Sequence, residues 1–123
     1  MAHIVDYVLD AALSKLDTEA ERVYICSQEP TTYAEAITTY ALGNSTSLSV
    51  GAPGDRSGGG REVTVAAVAD ASITGTGTAS HFALVDVSNT RLLVTGSLSL
   101  TQPVTSGNTF SLDSFTIGIP DPA

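Results

Sequence analysis

The chain has 123 residues, with thirteen Asp and Glu against five Lys and Arg for a net charge of −8, a mass of 12.6 kDa and a pI near 4.3. That length suits one domain, and so acidic a surface repels nucleic-acid backbones and anionic membranes. Hydrophobic residues at 42% are too many for a disordered chain, while no stretch approaches the roughly 18 apolar residues of a membrane-spanning helix.

From Ile4 to Leu16, Val5, Val8, Leu9, Ala12, Leu13 and Leu16 recur at three- and four-residue spacing, which predicts an amphipathic helix of about three turns. Asp6 near its start and Lys15 near its end carry the signs that the helix dipole favours. Residues 22 to 26 (Arg-Val-Tyr-Ile-Cys) are rich in β-formers and read as a short strand, with Pro30 ending whatever precedes it. Thr32-Tyr33-Ala34-Glu35 matches the capping box, so a second short helix is expected to run to Leu42 and stop at Gly43.

Beyond Gly43 the character changes to short Val, Ile, Leu and Phe runs among Ser, Thr, Gly and Asn, the pattern of an all-β region with many turns. Glu62 to Ala69 has apolar or small residues on both parities and is expected to be one interior strand. Thr78 to Val87 turns through Val87-Ser88-Asn89-Thr90 into Arg91 to Leu98, a hairpin. Thr109 to Ile117 places Phe110 and Leu112 on one parity and Phe115 and Ile117 on the other, which a bulge at Asp113-Ser114 would reconcile. Residues 51 to 60 hold five glycines and read as a mobile loop, a plain connection or an interaction element. Ile119-Pro120-Asp121-Pro122-Ala123 reads as an extended tail.

Together these predict a single domain over residues 1–123, mainly β, as an antiparallel β-sandwich or small barrel. The helical part, residues 1–43, would pack on the β-rich part, residues 44–119.

Groups that could carry chemistry are few. The chain holds one Cys, two His and no Trp. Cys26 cannot form an internal disulfide, sits in an apolar run and reads as a small buried hydrophobe rather than a thiolate. The start of the chain lacks a basic, apolar leader, so synthesis in a reducing cytoplasm is expected. His3, His81 and Cys26 are too scattered for a zinc site, and Asp70, Asp86, Asp113 and Asp121 lack calcium-loop spacing. The glycines at 58 to 60 enter a strand, and Gly75-Thr76-Gly77 lies between strands, so neither cradles a phosphate. Ser80 and His81 are adjacent on a strand, which should point them to opposite faces and prevent a nucleophile–base pair. No catalytic, cofactor-binding or metal-ligating residue is expected.

Three segments resemble a family of small structural proteins of tailed bacteriophages and prophages: Ile4-Val5-Asp6-Tyr7-Val8-Leu9-Asp10, the stretch 25–36 (Ile-Cys-Ser-Gln-Glu-Pro-Thr-Thr-Tyr-Ala-Glu-Ala), and 75–86 (Gly-Thr-Gly-Thr-Ala-Ser-His-Phe-Ala-Leu-Val-Asp). The resemblance implies a non-enzymatic virion component without a cofactor, and most specifically a head decoration, or cement, protein. It would bind the outside of the capsid at junctions between major capsid proteins, as a homo-oligomer, most simply a trimer at a three-fold joint. A tail or fibre component recognising a host surface is the rival, and a small hydrolase is a third reading. The N-terminal helix, the glycine loop and the tail are the expected contact elements.

Overall fold

The chain organises around a strand whose two faces are both buried. In the computed structural model, which describes residues 5–46 and 48–119, this strand is β1 (Arg22–Cys26), with Val23, Tyr24, Ile25 and Cys26 all buried. It lies between β2 (Ala41–Ser45) and β6 (Gly77–Asp86), antiparallel to both. The full sheet has six strands in the order β7-β6-β1-β2-β5-β8, where β5 is Val68–Ile73, β7 Arg91–Val104 and β8 Thr109–Leu112. A second sheet of three strands has the order β3-β4-β9, with β3 Gly54–Asp55, β4 Arg61–Val65 and β9 Phe115–Ile119. Every pairing is antiparallel and neither sheet closes into a barrel.

Alternation along β1 and β6 explains the two-sided burial. Val23 and Leu84 face the smaller sheet, packing with Val65, Val68 and Ala71 and with the partly buried Phe115 and Ile117. Tyr24, Cys26, Ala83 and Val85 face the other way, where residues 33–41 cover them through Tyr33, Ala36, Ile37 and Tyr40. The chain therefore covers both faces of its central strands by itself.

The first helix, α1 (Asp6–Glu19), buries Leu9, Leu13 and Leu16. Leu13 and Leu16 pack on Val63 of β4, alongside Leu93 and Val94 of β7 and Ile117 and Ile119 of β9. α1 thus plugs one end of the space between the sheets. It runs a turn beyond the expected Leu16, supported by the Lys15–Glu19 ion pair at 3.0 Å, so Lys15 is not in the last turn and does not serve the dipole there. Val5 and Val8 remain exposed, and Ile4 lies outside the described residues.

Several expectations are corrected. The second helix is one π-helical turn, Glu35–Thr39, not a helix to Leu42. Tyr40 N closes it on the Glu35 carbonyl at 2.9 Å, and Ser27 N takes the Tyr40 carbonyl at 3.0 Å, returning the chain to β1. Gly43 is a strand residue: a Cβ there would lie 2.6 Å from the Ser72 carbonyl oxygen and 3.0 Å from the Phe110 ring. The capping box is offset. Thr32 Oγ1 accepts from Glu35 N at 3.2 Å, but Glu35 Oε1 reaches the backbone N and Oγ1 of Thr31, both at 2.8 Å. Those donors, the Thr31 backbone first, hold the Glu35 carboxyl below its ordinary pKa.

The segment 62–69 is a corner between sheets rather than one interior strand. β4 ends at Val65, the exposed Ala66 and Ala67 make the break, and β5 begins at Val68 in the other sheet. The chain crosses back at Asp113-Ser114, between β8 and β9, where a bulge was expected. The hairpin at 87–90 forms as expected, with Thr90 N bonded to the Val87 carbonyl at 3.3 Å and Thr90 at φ 51°.

β7 extends past Leu98 to Val104 through a wide bulge. Ala79 pairs with Gln102 and His81 with Ser97, so Ser80 alone opposes residues 98–101. Next to this bulge Gly96 lies beneath the Phe82 ring, which in turn packs on Phe115 with ring centroids 4.6 Å apart.

Candidate functional site

The bulge in β7 brings Ser80 and His81 together, against the expectation from strand alternation. Ser80 Oγ lies 2.8 Å from His81 Nδ1 because the register shift there turns Ser80 out of the regular pleat. The same hydroxyl donates to the Ser27 carbonyl at 3.0 Å. A hydroxyl has one proton, so Nδ1 is the donor in this pair, and His81 does not act as a base toward Ser80. Among the described residues no carboxylate bonds the ring. Cys26 is the cross-strand partner of His81, but its Sγ donates weakly to the Ala36 carbonyl at 3.7 Å and burial pushes the thiol up to about 11. The scarce reactive side chains thus meet, in an arrangement that leaves the thiol protonated and the hydroxyl committed.

The acidic residues singled out in the sequence stay apart. Asp70 sits at the β5 bulge with φ 54°, and Asp113 at the second sheet crossing. Asp86, almost fully buried, caps the 87–90 hairpin by accepting from Asn89 Nδ2 at 2.8 Å and Asn89 N at 3.2 Å. The Asn89 side chain is the main cause of its lowered pKa, with the Asn89 backbone N–H and the Arg91 charge adding to it. Among the described residues no three His, Cys, Asp or Glu gather as metal ligands. His3 and Asp121 lie outside the described residues.

What the fold does assemble is a junction of three elements around Arg61. Arg61, at the start of β4 with its side chain 17% exposed, holds Asp10 of α1 side-on, Nε to Oδ1 at 2.7 Å and Nη2 to Oδ2 at 3.2 Å. Its Nη1 reaches Asp55 of β3 at 2.5 Å and comes within 3.8 Å of Asp6. Hydrogen bonding to Asp10 is the chief cause that raises the Arg61 pKa still further, so this charge is permanent. On the opposite strand, Arg61 pairs with Ile119, the last described residue. The helix start, the glycine-rich hairpin and the end of β9 therefore meet at one residue. The helix and the glycine loop are two of the expected contact elements, while the third, the tail, overlaps β9 only at Ile119; the partners of Arg61 emerge only from three-dimensional closure.

The glycine segment is more ordered than a free loop. Gly54 pairs with Glu62 and Asp55 with Arg61, and Gly51 N bonds the Thr64 carbonyl at 2.9 Å. The turn from Arg56 to Gly60 closes with Arg56 N on the Gly60 carbonyl at 3.1 Å, and Gly58, Gly59 and Gly60 all take positive φ, which a residue with a Cβ resists. Arg56 folds its stem over Gly118 of β9 and donates to the Gly59 carbonyl at 3.1 Å. Beside this node Val5 and Val8 are about half exposed and Tyr7 is 82% exposed. The tail residues 120–123 lie outside the described residues.

No family model, curated protein or solved structure matches the chain. Exposed apolar side chains lie beside the Arg61 node. This region combines a side-on ion pair between Arg61 and Asp10 with apolar side chains that the other described residues leave exposed.

Proposed function

We propose that this chain is a non-enzymatic head decoration protein of tailed bacteriophages, bound to the outside of the capsid at junctions between major capsid proteins. The phage assignment rests on the resemblance of segments 4–10, 25–36 and 75–86. The docking role is supported by one structural observation: Val5, Tyr7 and Val8 are each exposed at the start of a helix that Arg61 holds in place. A rigid, partly apolar patch loses little entropy when it docks, and many equivalent copies give retention by effective concentration.

A trimer at a three-fold joint belongs to this proposal on grounds of symmetry. The two-sided apolar strands do not add to it, because residues 33–41 and the smaller sheet already cover them. The rival reading, a tail or fibre component that recognises a host surface, is favoured by Tyr7, an aromatic 82% exposed.

The deciding experiment places this chain within an intact particle by cryo-electron microscopy and compares heads with and without it on heating. Decoration predicts density over capsid junctions and earlier DNA loss from bare heads. A location confined to tails, or equal heat resistance, rejects it. Tyr7→Ser with Val8→Ser should strip the protein from heads while its own melting temperature stays nearly unchanged, since both side chains face solvent.

A further inference from the structure

Among the described residues the six-stranded sheet has two free edges, β7 and β8, and both line one cleft. These strands are consecutive in the chain, yet β7 pairs with β6 and β8 with β5. The turn joining them is tied elsewhere: Ser106 N bonds Thr76 Oγ1 and Gly107 N bonds the Ile73 carbonyl, both at 3.0 Å, while Ile73 N returns to the Asn108 carbonyl at 3.0 Å. Its hydrogen bonds serve the β5–β6 connection, so the two strands leave it unpaired. The cleft between them has a volume of about 430 Å³ and is lined by Phe82, Leu98, Leu100, Leu112, Asp113 and Phe115, among others. Leu100, in the bulge opposite Ser80, is 82% exposed.

We propose that this cleft accepts an extended segment of a partner polypeptide, which pairs with the free edge of β8 and carries alternating aliphatic and basic side chains. A row of unpaired main-chain groups is complementary to another extended main chain, and the lining supplies apolar contacts for every second side chain. The two edges are not equal. β7 carries Pro103, which has no N–H to offer, and the bulge; Thr-Phe-Ser-Leu of β8 carries neither proline nor charge, so it lacks the usual guards against strand addition.

Charge selects the occupant. Asp113 is the charged residue of the lining, and no ion pair or hydrogen bond engages its carboxylate among the described residues. A second copy would bring another chain of net charge −8 against this one, whereas a Lys or Arg on the incoming strand meets Asp113 favourably. This inference does not depend on which particle, if any, the chain belongs to.

The test uses the full chain and three fluorescein-labelled eight-residue peptides followed by fluorescence anisotropy. One alternates Val with Lys, the second is the same peptide N-methylated at alternate amides, and the third alternates Val with Glu. The Val/Lys peptide is expected to bind saturably and at least about tenfold more tightly than either other, because N-methylation removes the ladder donors and Glu meets Asp113. Leu100→Ser should weaken it about tenfold and Asp113→Asn about threefold. Leu100 is exposed, so its variant keeps the fold, which circular dichroism checks. Absence of saturable binding, equal binding by the N-methylated peptide, or indifference to both substitutions overturns the proposal. So does a dimer of the chain alone by light scattering that Leu100→Ser returns to monomer, since the occupant would then be a second copy.

Discussion

Replacing Gly96 by Ala sets two effects against each other. In a strand with ordinary φ, the change usually stabilises by about 0.4–1 kcal/mol because the unfolded chain loses freedom. Here a Cβ would lie 2.6 Å from both Cε1 and Cζ of Phe82, far inside contact distance. The ring cannot simply swing away, since it packs on Phe115 at a centroid distance of 4.6 Å and shares the core with Val23 and Leu84. Overpacking costs about 1–3 kcal/mol, and losing the aromatic pair adds about 0.5–1.5 kcal/mol. The clash therefore wins, with a net destabilisation of about 2 kcal/mol. With an unfolding entropy of about 2.1 cal/mol/K per residue, that lowers the melting temperature by about 8 °C. Calorimetry or a thermal circular-dichroism scan reads this directly. Adding Phe82→Leu to the Gly96→Ala chain should recover about 1 kcal/mol relative to the sum of the single changes, because the smaller side chain vacates the contested space. A Gly96→Ala protein that melts at or above the parent temperature, or strictly additive changes, would show that the ring yields freely and that the close approach has no energetic weight.

The other expectations concern the core, the hairpin and the titratable groups. Leu13→Ala removes the buried contact of α1 with Val63 and should cost about 2–5 kcal/mol in urea unfolding; a cost under 1 kcal/mol would mean α1 is only loosely docked. The lowered pKa of Asp86 means its charged form favours the folded state. That contribution is complete above about pH 4, the unfolded carboxyl range, and is lost as pH falls through the lower folded value. Asp86→Asn should therefore be less stable than the parent at pH 7, with the gap narrowing toward pH 3 in denaturant titrations at each pH; a gap that widens on acidification refutes the assignment. Cys26, buried and raised to about 11, should react with a disulfide reagent only as fast as the protein unfolds, so its labelling rate should climb with urea; rapid labelling in native buffer contradicts its burial. Hydrogen exchange should protect Gly51 and Arg56, whose amides are bonded, while Ser57 and Gly58 exchange fast; uniform fast exchange over 51–60 would return the segment to a free loop.

Periodicity carried most of the fold. The spacing of Leu9, Leu13 and Leu16 located α1, the β-formers at 22–26 located β1, and Ser88-Asn89 marked the hairpin. The parity change from Leu112 to Phe115 was also visible, whereas 62–69 read as apolar on both parities, and parity reports only which side of the backbone is apolar. A bulge and a passage to another sheet reverse it equally, and the choice depends on partners far along the chain. Gly43 misled because a glycine that ends a helix and one that lets a neighbouring strand come close look alike without coordinates. Ser80 and His81 met because of a bulge created by residues 98–101, which no local reading of β6 could foresee. The partners of Arg61 were not legible, because Asp10 and Asp55 come from separate elements and a lone arginine beside a glycine run has no pattern of its own.

The placement of β1 at the centre of the larger sheet has a consequence for how the chain acquires its structure. Ile25 pairs with Phe82, so the central ladder requires closing a loop of roughly 60 residues, an entropic cost of about 3.6 kcal/mol before any contact repays it. The hairpin of β6 and β7 needs only local closure and should form first, offering β6 as the template on which β1 docks. During synthesis the order is reversed: residues 22–26 leave the ribosome about 3–12 s before residues 81–86 at typical elongation rates. For those seconds the segment Val-Tyr-Ile-Cys has no partner for its outer edge. The interval between making β1 and making β6 is thus the period in which the nascent chain is most exposed to aggregation.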